Sequence, residues 1–173
     1  MAEGPTRYAW YDSPVGRLLL AGDPAGLTLI SFPSGSRTRR PAPGWQRDDD
    51  ALTAAISQLA DYFAGTRQTY SLPLRPAGTA FHQSVWSALR DIPFGATISY
   101  GELARRIGQP SAARAVGAAN GANPLAIVVP CHRVIGADKS LTGFGGGIDT
   151  KRFLLAHEAR LSPRLACQGE LFR

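Results

Sequence analysis

The stretch TISYGELARRIGQPSAARAVGAANGANPLAIVVPCHRVIG, Thr97–Gly136, decides how this chain is read. Its first part carries two helical segments. One runs from about Tyr100 to Ile107 and is closed by Gly108. A tight Gly-Gln-Pro-Ser turn follows, then an alanine-rich helix over about Ser111–Gly121. Two helices joined by a glycine-containing turn are the sequence form of a helix-turn-helix. The second helix has no large side chain, and Arg114 is its only charge. Two readings stay open. It is either a helix packed tightly against its neighbours, or one that slides into a nucleic-acid groove with one arginine projecting.

The second part, Ile127–Pro130, is an apolar run of the kind that fills a buried strand. Pro130 cannot continue a central strand, so the chain is predicted to turn there and carry Cys131 off a rigid strand end. A free thiol has a reference pKa of about 8.5 and needs a base or a positive field to act as a nucleophile. His132 and Arg133 stand next in the chain to supply either. Adjacent side chains seldom bond each other directly, so a relay from Cys131 to His132 through one water is expected. A carboxylate would then orient the imidazole. The second half offers Asp91, Glu102, Asp138, Asp149, Glu158 and Glu170. The competing reading of Cys131 is a buried, inert thiol. Spacing alone does not decide between them.

Upstream, Leu18–Ala21 and Leu27–Phe32 flank Gly-Asp-Pro-Ala-Gly and predict a β-hairpin. Residues 34–50 are polar and rich in Pro and Gly, hence a loop. The Asp48–Asp50 cluster is predicted to cap a helix that sets Leu52, Ala55, Ile56, Leu59, Tyr62 and Phe63 on one side and stops at Gly65. Thr69–Leu74 is predicted as a short strand. Composition and charge both change at 75–79, which divides the chain into 1–77 and 78–173. A helix then places Phe81, Val85, Trp86 and Leu89 at helical spacing. The expected fold class is α+β. A small N-terminal α/β domain with a β-hairpin precedes a mainly helical, winged-helix-like C-terminal domain holding the helix-turn-helix.

With 173 residues, 44% hydrophobic and 18% charged, the chain reads as an ordinary soluble globular protein. No apolar run approaches the roughly 20 residues of a membrane helix. The N-terminus lacks the layout of a signal peptide, so a cytoplasmic location is expected. Cys131 and Cys167 are too few for a disulfide framework, and the scattered His82, His132 and His157 form no metal-ligand pattern. The net charge of +6 is uneven: residues 1–78 carry eight basic against seven acidic side chains, residues 79–173 eleven against six. A basic half beside a near-neutral one points to a polyanionic partner, nucleic acid first, against the plainer reading of a solvated basic surface.

Pro-Cys-His-Arg-Val-Ile-Gly (130–136) is preceded by Ala-Arg-Ala-Val-Gly-Ala-Ala-Asn-Gly-Ala-Asn-Pro (113–124). It is followed by Leu-Thr-Gly-Phe-Gly-Gly-Gly (141–147) and Lys-Arg-Phe-Leu-Leu-Ala-His-Glu (151–158). In this order and spacing, residues 79–160 resemble the O6-alkylguanine-DNA alkyltransferases. The resemblance implies that Cys131 is the alkyl acceptor, that His132 is its base through a water, and that Glu158 orients His132. It implies that Asn123 braces the turn at the site. Tyr100 would crowd a backbone phosphate, help rotate the base out and protonate the leaving guanine, and Arg114 would fill the gap in the duplex. Gly101, Arg105, Gln109 and Ala113 would complete the DNA-binding surface. Val134, Phe144, Gly145 and Gly146 would wall a small substrate pocket. The implied partner is double-stranded DNA containing O6-alkylguanine, bound by a monomer without cofactor. The N-terminal half lacks the Cys and His zinc ligands of mammalian relatives, so no structural zinc is expected. Gly121 and Ala122 stand where many relatives carry an additional arginine, which predicts weaker DNA affinity or compensation from Arg105 and Arg106.

Three rival readings fit these residues less well. A non-catalytic alkylated-base binder would have replaced the acceptor cysteine. A helix-turn-helix regulator would need more than Arg114 and Asn120 to read base edges. A thiol peptidase built on Cys131, His132 and Glu158 would leave the basic half without a purpose.

Overall fold

The computed structural model describes residues 4–162. It opens with a four-stranded sheet: β1 Arg7–Ser13, β2 Gly16–Asp23, β3 Gly26–Ser31 and β4 Gln46–Arg47, in the order β3-β2-β1-β4. β2 and β3 form the expected antiparallel hairpin. Asp23 Oδ1 accepts from the backbone N–H of Ala25 (2.8 Å) and Gly26 (3.2 Å), which closes the turn. β1 and β4 extend the sheet beyond the two strands expected. In β1, Tyr8, Trp10 and Tyr11 are all half-buried, so no clean apolar–polar alternation marks it. β4 is two exposed residues of the long polar loop, held parallel to β1 by backbone pairing.

Two expectations about this half need correction. The aspartate cluster does not cap the helix itself: Asp48 Oδ1 accepts from Ala51 N–H (3.0 Å) and caps a 3-10 turn, Asp50–Leu52, that precedes α1, Thr53–Ala64. Gly65 does end α1, in the left-handed region at φ 82° that glycine adopts without steric cost. Thr69–Leu74 is not a strand. Only Leu74 bridges to Leu27, because Pro73 has no N–H to donate and offers only its carbonyl, which accepts from Leu27 N–H at 2.9 Å.

The second half contains α2 Ala80–Arg90, α3 Tyr100–Arg106, α4 Ala113–Gly121 and α5 Ile148–Leu161. A two-stranded parallel pair, β5 Ile98–Ser99 and β6 Val134–Ile135, lies among them. Thr79 and His82 form a reciprocal cap at the start of α2. The Ser99 side chain accepts from Glu102 N–H (3.1 Å) and starts α3. α3, a tight turn and α4 make the helix-turn-helix, and α4 is small-sided because it packs closely: Trp86 Nε1 of α2 donates to Ala119 O at 2.9 Å. The fold is thus mixed α+β, an N-terminal sheet followed by a mainly helical part. Buried apolar residues from both halves, Ala9 and Leu20 through Val116 and Leu154, form one contiguous cluster. The open edge of β3 is covered by that arrangement, with Leu27 bridged to Leu74 and Ile30 to Leu125.

Candidate active site

The expected strand at Ile127–Pro130 is absent. Leu125–Val129 folds into a compact turn in which Val129 N–H bonds back to Leu125 O (2.8 Å) and buried Ile127 adopts φ 74°. That conformation is strained for a β-branched residue. Asn123 holds it: Oδ1 accepts from Leu125 N–H (2.9 Å) and Nδ2 donates to Val129 O (2.8 Å). Pro130, at φ −82° and ψ 65°, then centres an inverse γ-turn closed by Cys131 N–H to Val129 O (2.8 Å). The run is apolar because it is buried and irregular because its backbone bonds close on itself rather than on a neighbouring strand. Cys131, His132 and Arg133 follow as a single 3-10 turn, all buried.

Behind this turn lies a hub of charge. Glu158 on α5, 1% exposed, accepts five hydrogen bonds. Its Oε1 takes Tyr62 Oη–H (2.9 Å), His132 Nε2–H (2.6 Å) and Arg133 Nη2–H (3.0 Å). Its Oε2 takes Arg133 Nε–H (2.8 Å) and Gly95 N–H (3.1 Å). Burial works to raise the Glu158 carboxyl, but His132 and Arg133 outweigh it and hold the group well below the usual carboxylate range. Burial also lowers the His132 imidazolium, against the opposing pull of Glu158, so the ring is neutral at neutral pH. A carboxylate can only accept, so Nε2 carries the proton, and Nδ1 is left as a buried lone pair without a partner. That is the electronic state of a general base. Arg133, which the sequence offered as a source of positive field at the thiol, turns instead to Glu158, Ile92 O (2.6 Å) and the Phe94 ring.

Cys131 is 4% exposed, and burial pushes its thiol up, against a hydrogen bond from Asn123 and the charge of Lys151. The resting group is therefore a thiol, and a base must take its proton as it reacts. Lys151 is fully buried on α5. Its ammonium donates to Val134 O (2.6 Å) and Thr142 O (2.9 Å), and burial brings its pKa down to about 8. The Tyr100 hydroxyl donates to the same Thr142 carbonyl at 3.0 Å, and its ring packs beside Gly117 of α4.

Cys131 opens into a small cleft of about 60 Å³, its mouth open to solvent. Phe144, Gly145 and Gly146 line it, as do Asn120 and Asn123. Val134 is buried outside the lining and contributes its carbonyl to Lys151. The other wall comes from the N-terminal half. Phe32 packs against Phe144 with the rings tilted by 58° and their centroids 5.4 Å apart, and Arg37 N–H donates to Gly145 O (3.1 Å). Gly35 passes so near Gly145 that a Cβ would strike its carbonyl. Phe32, Arg37, Tyr62 and Lys151 are not among the expected site residues, and Asn120 enters only as a base-edge reader in the rival regulator reading. Tyr62 alone left a trace, as a hydroxyl on an apolar helix face that needs a partner when buried.

On the outer side of the helix-turn-helix, Arg114 is exposed on the first turn of α4 and has no ion pair among the described residues. Gln109 is exposed in the turn, whereas Gly101 and Ala113 are half-buried. Arg105 and Arg106 both pair with Glu102, at 2.9 and 3.3 Å. Such solvent-exposed pairs contribute little to stability and are screened by salt. Cys167 and Glu170 lie outside the described residues.

Residues 80–160 match the 6-O-methylguanine DNA methyltransferase DNA binding domain, and residues 6–76 match the ribonuclease-like domain of the same proteins. A methylated-DNA–protein-cysteine methyltransferase of Methanosarcina acetivorans is 48% identical over 87% of this chain and 97% of its own length. That of Mycolicibacterium paratuberculosis is 51% identical over 90% and 94%. The crystal structure of Mycobacterium tuberculosis O6-methylguanine methyltransferase aligns with a TM-score of 0.84 at 48% identity, covering 95% of this chain and 99% of that one. A structure of Mycobacterium tuberculosis OGT in complex with DNA matches equally well, at a TM-score of 0.84. The chain belongs to the 6-O-methylguanine DNA methyltransferase family.

Proposed function

We propose that the protein repairs DNA by direct reversal, transferring the alkyl group of an O6-alkylguanine in duplex DNA irreversibly to Cys131. The observation that carries this reading is the buried order Cys131, neutral His132 with a bare Nδ1, and Glu158 as carboxylate. The Cys131 proton passes through a water to His132 Nδ1 while sulfur attacks the alkyl carbon. The S–C bond forms as the C–O6 bond breaks. The guanine that leaves is an anion unless protonated, and the Tyr100 hydroxyl supplies that proton. His132 is left as an imidazolium and Tyr100 as a phenolate, and proton exchange with solvent resets both. In sum, one proton has passed from thiol to guanine and the alkyl group to sulfur. A thioether has no thiolate left and no leaving group, so each molecule reacts once.

The alkyl carbon lies within the base stack, out of reach of an in-line thiolate, so the nucleotide must be extruded at a cost of a few kcal/mol. Arg114 projects from α4 to fill the gap, and Tyr100 crowds the phosphate. Arg105, Gly101 and Ala113 on the same two helices, with Gln109 in the turn between them, track the backbone. Arg114→Ala is expected to slow transfer from duplex DNA at least ~10-fold, a loss of about 1.4 kcal/mol, and to leave transfer from a free O6-alkylguanine base unchanged. Single-turnover rates on both substrates check this, and equal losses would remove the flipping role.

Residues 1–77 act in this scheme as a supporting unit and 78–173 as the unit that binds DNA and accepts the alkyl group. No helix among the described residues is long and apolar enough to cross a membrane, and the proposed place of action is the cytoplasm, as a monomer. The deciding experiment is an intact-mass spectrum after incubation with duplex DNA holding one O6-methylguanine, with peptide mapping. One added methyl on Cys131, saturating at one per protein, is expected. Tight binding without a mass change would make this a recognition protein instead.

A further inference from the structure

Three donors converge on one carboxylate oxygen at the hub. Glu158 Oε1 accepts from His132 Nε2 (2.6 Å), Tyr62 Oη (2.9 Å) and Arg133 Nη2 (3.0 Å). A carboxylate oxygen offers about two lone-pair directions, so the three donors share its charge. Two of them belong to the turn that carries Cys131. The third comes from the other half of the chain. Tyr62, on α1, is 0% exposed, and its ring packs against Phe63, Tyr70, Phe94 and His157. Its backbone carbonyl accepts from His157 Nε2 at 2.8 Å, so the residue is held at both ends and the aim of its hydroxyl is fixed. Burial and the charge of Glu158 keep the phenol protonated. It therefore only donates to the carboxylate, and it draws on that oxygen without adding charge.

We propose that Tyr62 is a positioning residue whose hydroxyl, by competing for Glu158 Oε1, sets how strongly Glu158 holds His132 and so tunes the base that serves Cys131. This rests on the function proposed above. It gives the N-terminal half a part in the proton step without any contact to substrate. The other groups at the pair come from every side. Arg133 and Cys131 share the turn with His132, Lys151 and His157 stand on α5, and Tyr70 follows α1 with a hydroxyl that has no partner. Burial lowers the His132 imidazolium, Glu158 opposes this, and Arg133 and Lys151 add to the lowering. Without the Tyr62 hydroxyl, His132 would take a larger share of Oε1. Its imidazolium would be better stabilised and would lose its proton only at a higher pH. A general base must be neutral to accept the thiol proton, so the acid limb of the transfer rate would move up with it. Tyr62 thus keeps His132 neutral at rest, and the ring gains its proton only as Cys131 reacts.

The test follows single-turnover transfer from an O6-methylguanine duplex across the pH range in which circular dichroism shows the fold intact. An NMR titration of the histidine ring nitrogens, on the same full chain without DNA, reads His132 directly. Tyr62→Phe keeps the ring and removes only the hydroxyl. It is expected to move the His132 midpoint and the acid limb up by about one pH unit. Transfer would then be slower by up to ~10-fold on the acid side and within about 2-fold of the unmodified chain at pH 8. Tyr70→Phe removes a neighbouring buried hydroxyl that does not reach Glu158, and is expected to leave both midpoints in place. Replacing Tyr62 by 3-fluorotyrosine, a stronger donor of nearly the same shape, is expected to move them down. That variant also carries the test if Tyr62→Phe does not fold. A role in packing alone would slow transfer equally at every pH. An unmoved His132 midpoint in a folded Tyr62 variant would overturn the inference. Absence of transfer by the unmodified chain, with the His132 midpoint still following Tyr62, would overturn the alkyltransferase reading and leave the coupling standing.

Discussion

Cys131→Ala is expected to abolish alkyl transfer while leaving affinity for duplex DNA within about 2-fold, because the surfaces proposed to meet phosphate lie on α3 and α4 and their charges are untouched. Among the described residues the thiol is the only sulfur at the cleft, and its methyl replacement offers no thiolate to generate. The fold should tolerate the change. Removing one buried Sγ leaves a void smaller than a methylene pair and costs about 1 kcal/mol. The measurement pairs intact mass after incubation with lesion DNA against an electrophoretic titration of the same duplex. Residual methylation on another side chain would show that Cys131 is not the acceptor. A large loss of DNA affinity with an unshifted melting temperature would mean that the turn at Pro130 helps to hold the helix-turn-helix.

Glu158→Ala is expected to destabilise the fold strongly. It strips five donors of their acceptor and leaves the buried Arg133 guanidinium without a counter-charge. Breaking one side of a buried ion pair costs about 3–5 kcal/mol, against a total stability of roughly 5–15 kcal/mol for a domain of ordinary size. The same hub sets the response to acid. Glu158 and His132 both titrate lower in the folded chain than in the unfolded one. The folded state therefore binds fewer protons than the unfolded state, and stability falls as the pH is lowered. The loss begins as the solution drops below the ordinary histidine pKa of about 6.5, and steepens below the ordinary glutamate value of about 4.3. Urea midpoints at pH 7, 5.5 and 4 check this. Glu158→Gln should flatten the steeper, lower part of that dependence, and an unaltered profile would remove Glu158 from the account.

Such a hub could not be located from residue order. Glu158 was one of six carboxylates in the second half, and the resemblance to a family, not its spacing from His132, singled it out. What joins them is the packing of α5 beneath the 3-10 turn, 26 residues away in the chain. Tyr62 is more remote still, reaching Glu158 across 96 residues from the opposite half. Contacts of that range depend on how two apolar faces meet, and periodicity in either segment says nothing about it. The same limit explains the misread strand. Ile127–Val129 is apolar because it is buried, and burial is common to strands and to tight internal turns. Only the bonds of Asn123 and the left-handed Ile127 distinguish the two.

Local chemistry, by contrast, was legible in the chain itself. Gly65 ends α1 because only glycine takes that φ cheaply, Ser99 starts α3 with its own oxygen, and an all-small α4 permits close packing. The Pro-Cys-His-Arg order likewise sets a thiol beside an imidazole, since neighbours in sequence remain neighbours in space. The sequence by itself therefore determined where α1 stops, the hairpin, the basic second half and the placing of a thiol next to an imidazole. Tertiary structure decided their state. It fixed which carboxylate holds His132, turned Arg133 away from the thiol, and buried Lys151 beside the Tyr100 acceptor. It also drew Phe32 and Arg37 from the N-terminal half to wall the cleft. The physical reason is range: caps, turns and adjacency are fixed within a few residues, whereas charge state and pocket shape depend on desolvation by groups that only the folded chain brings together.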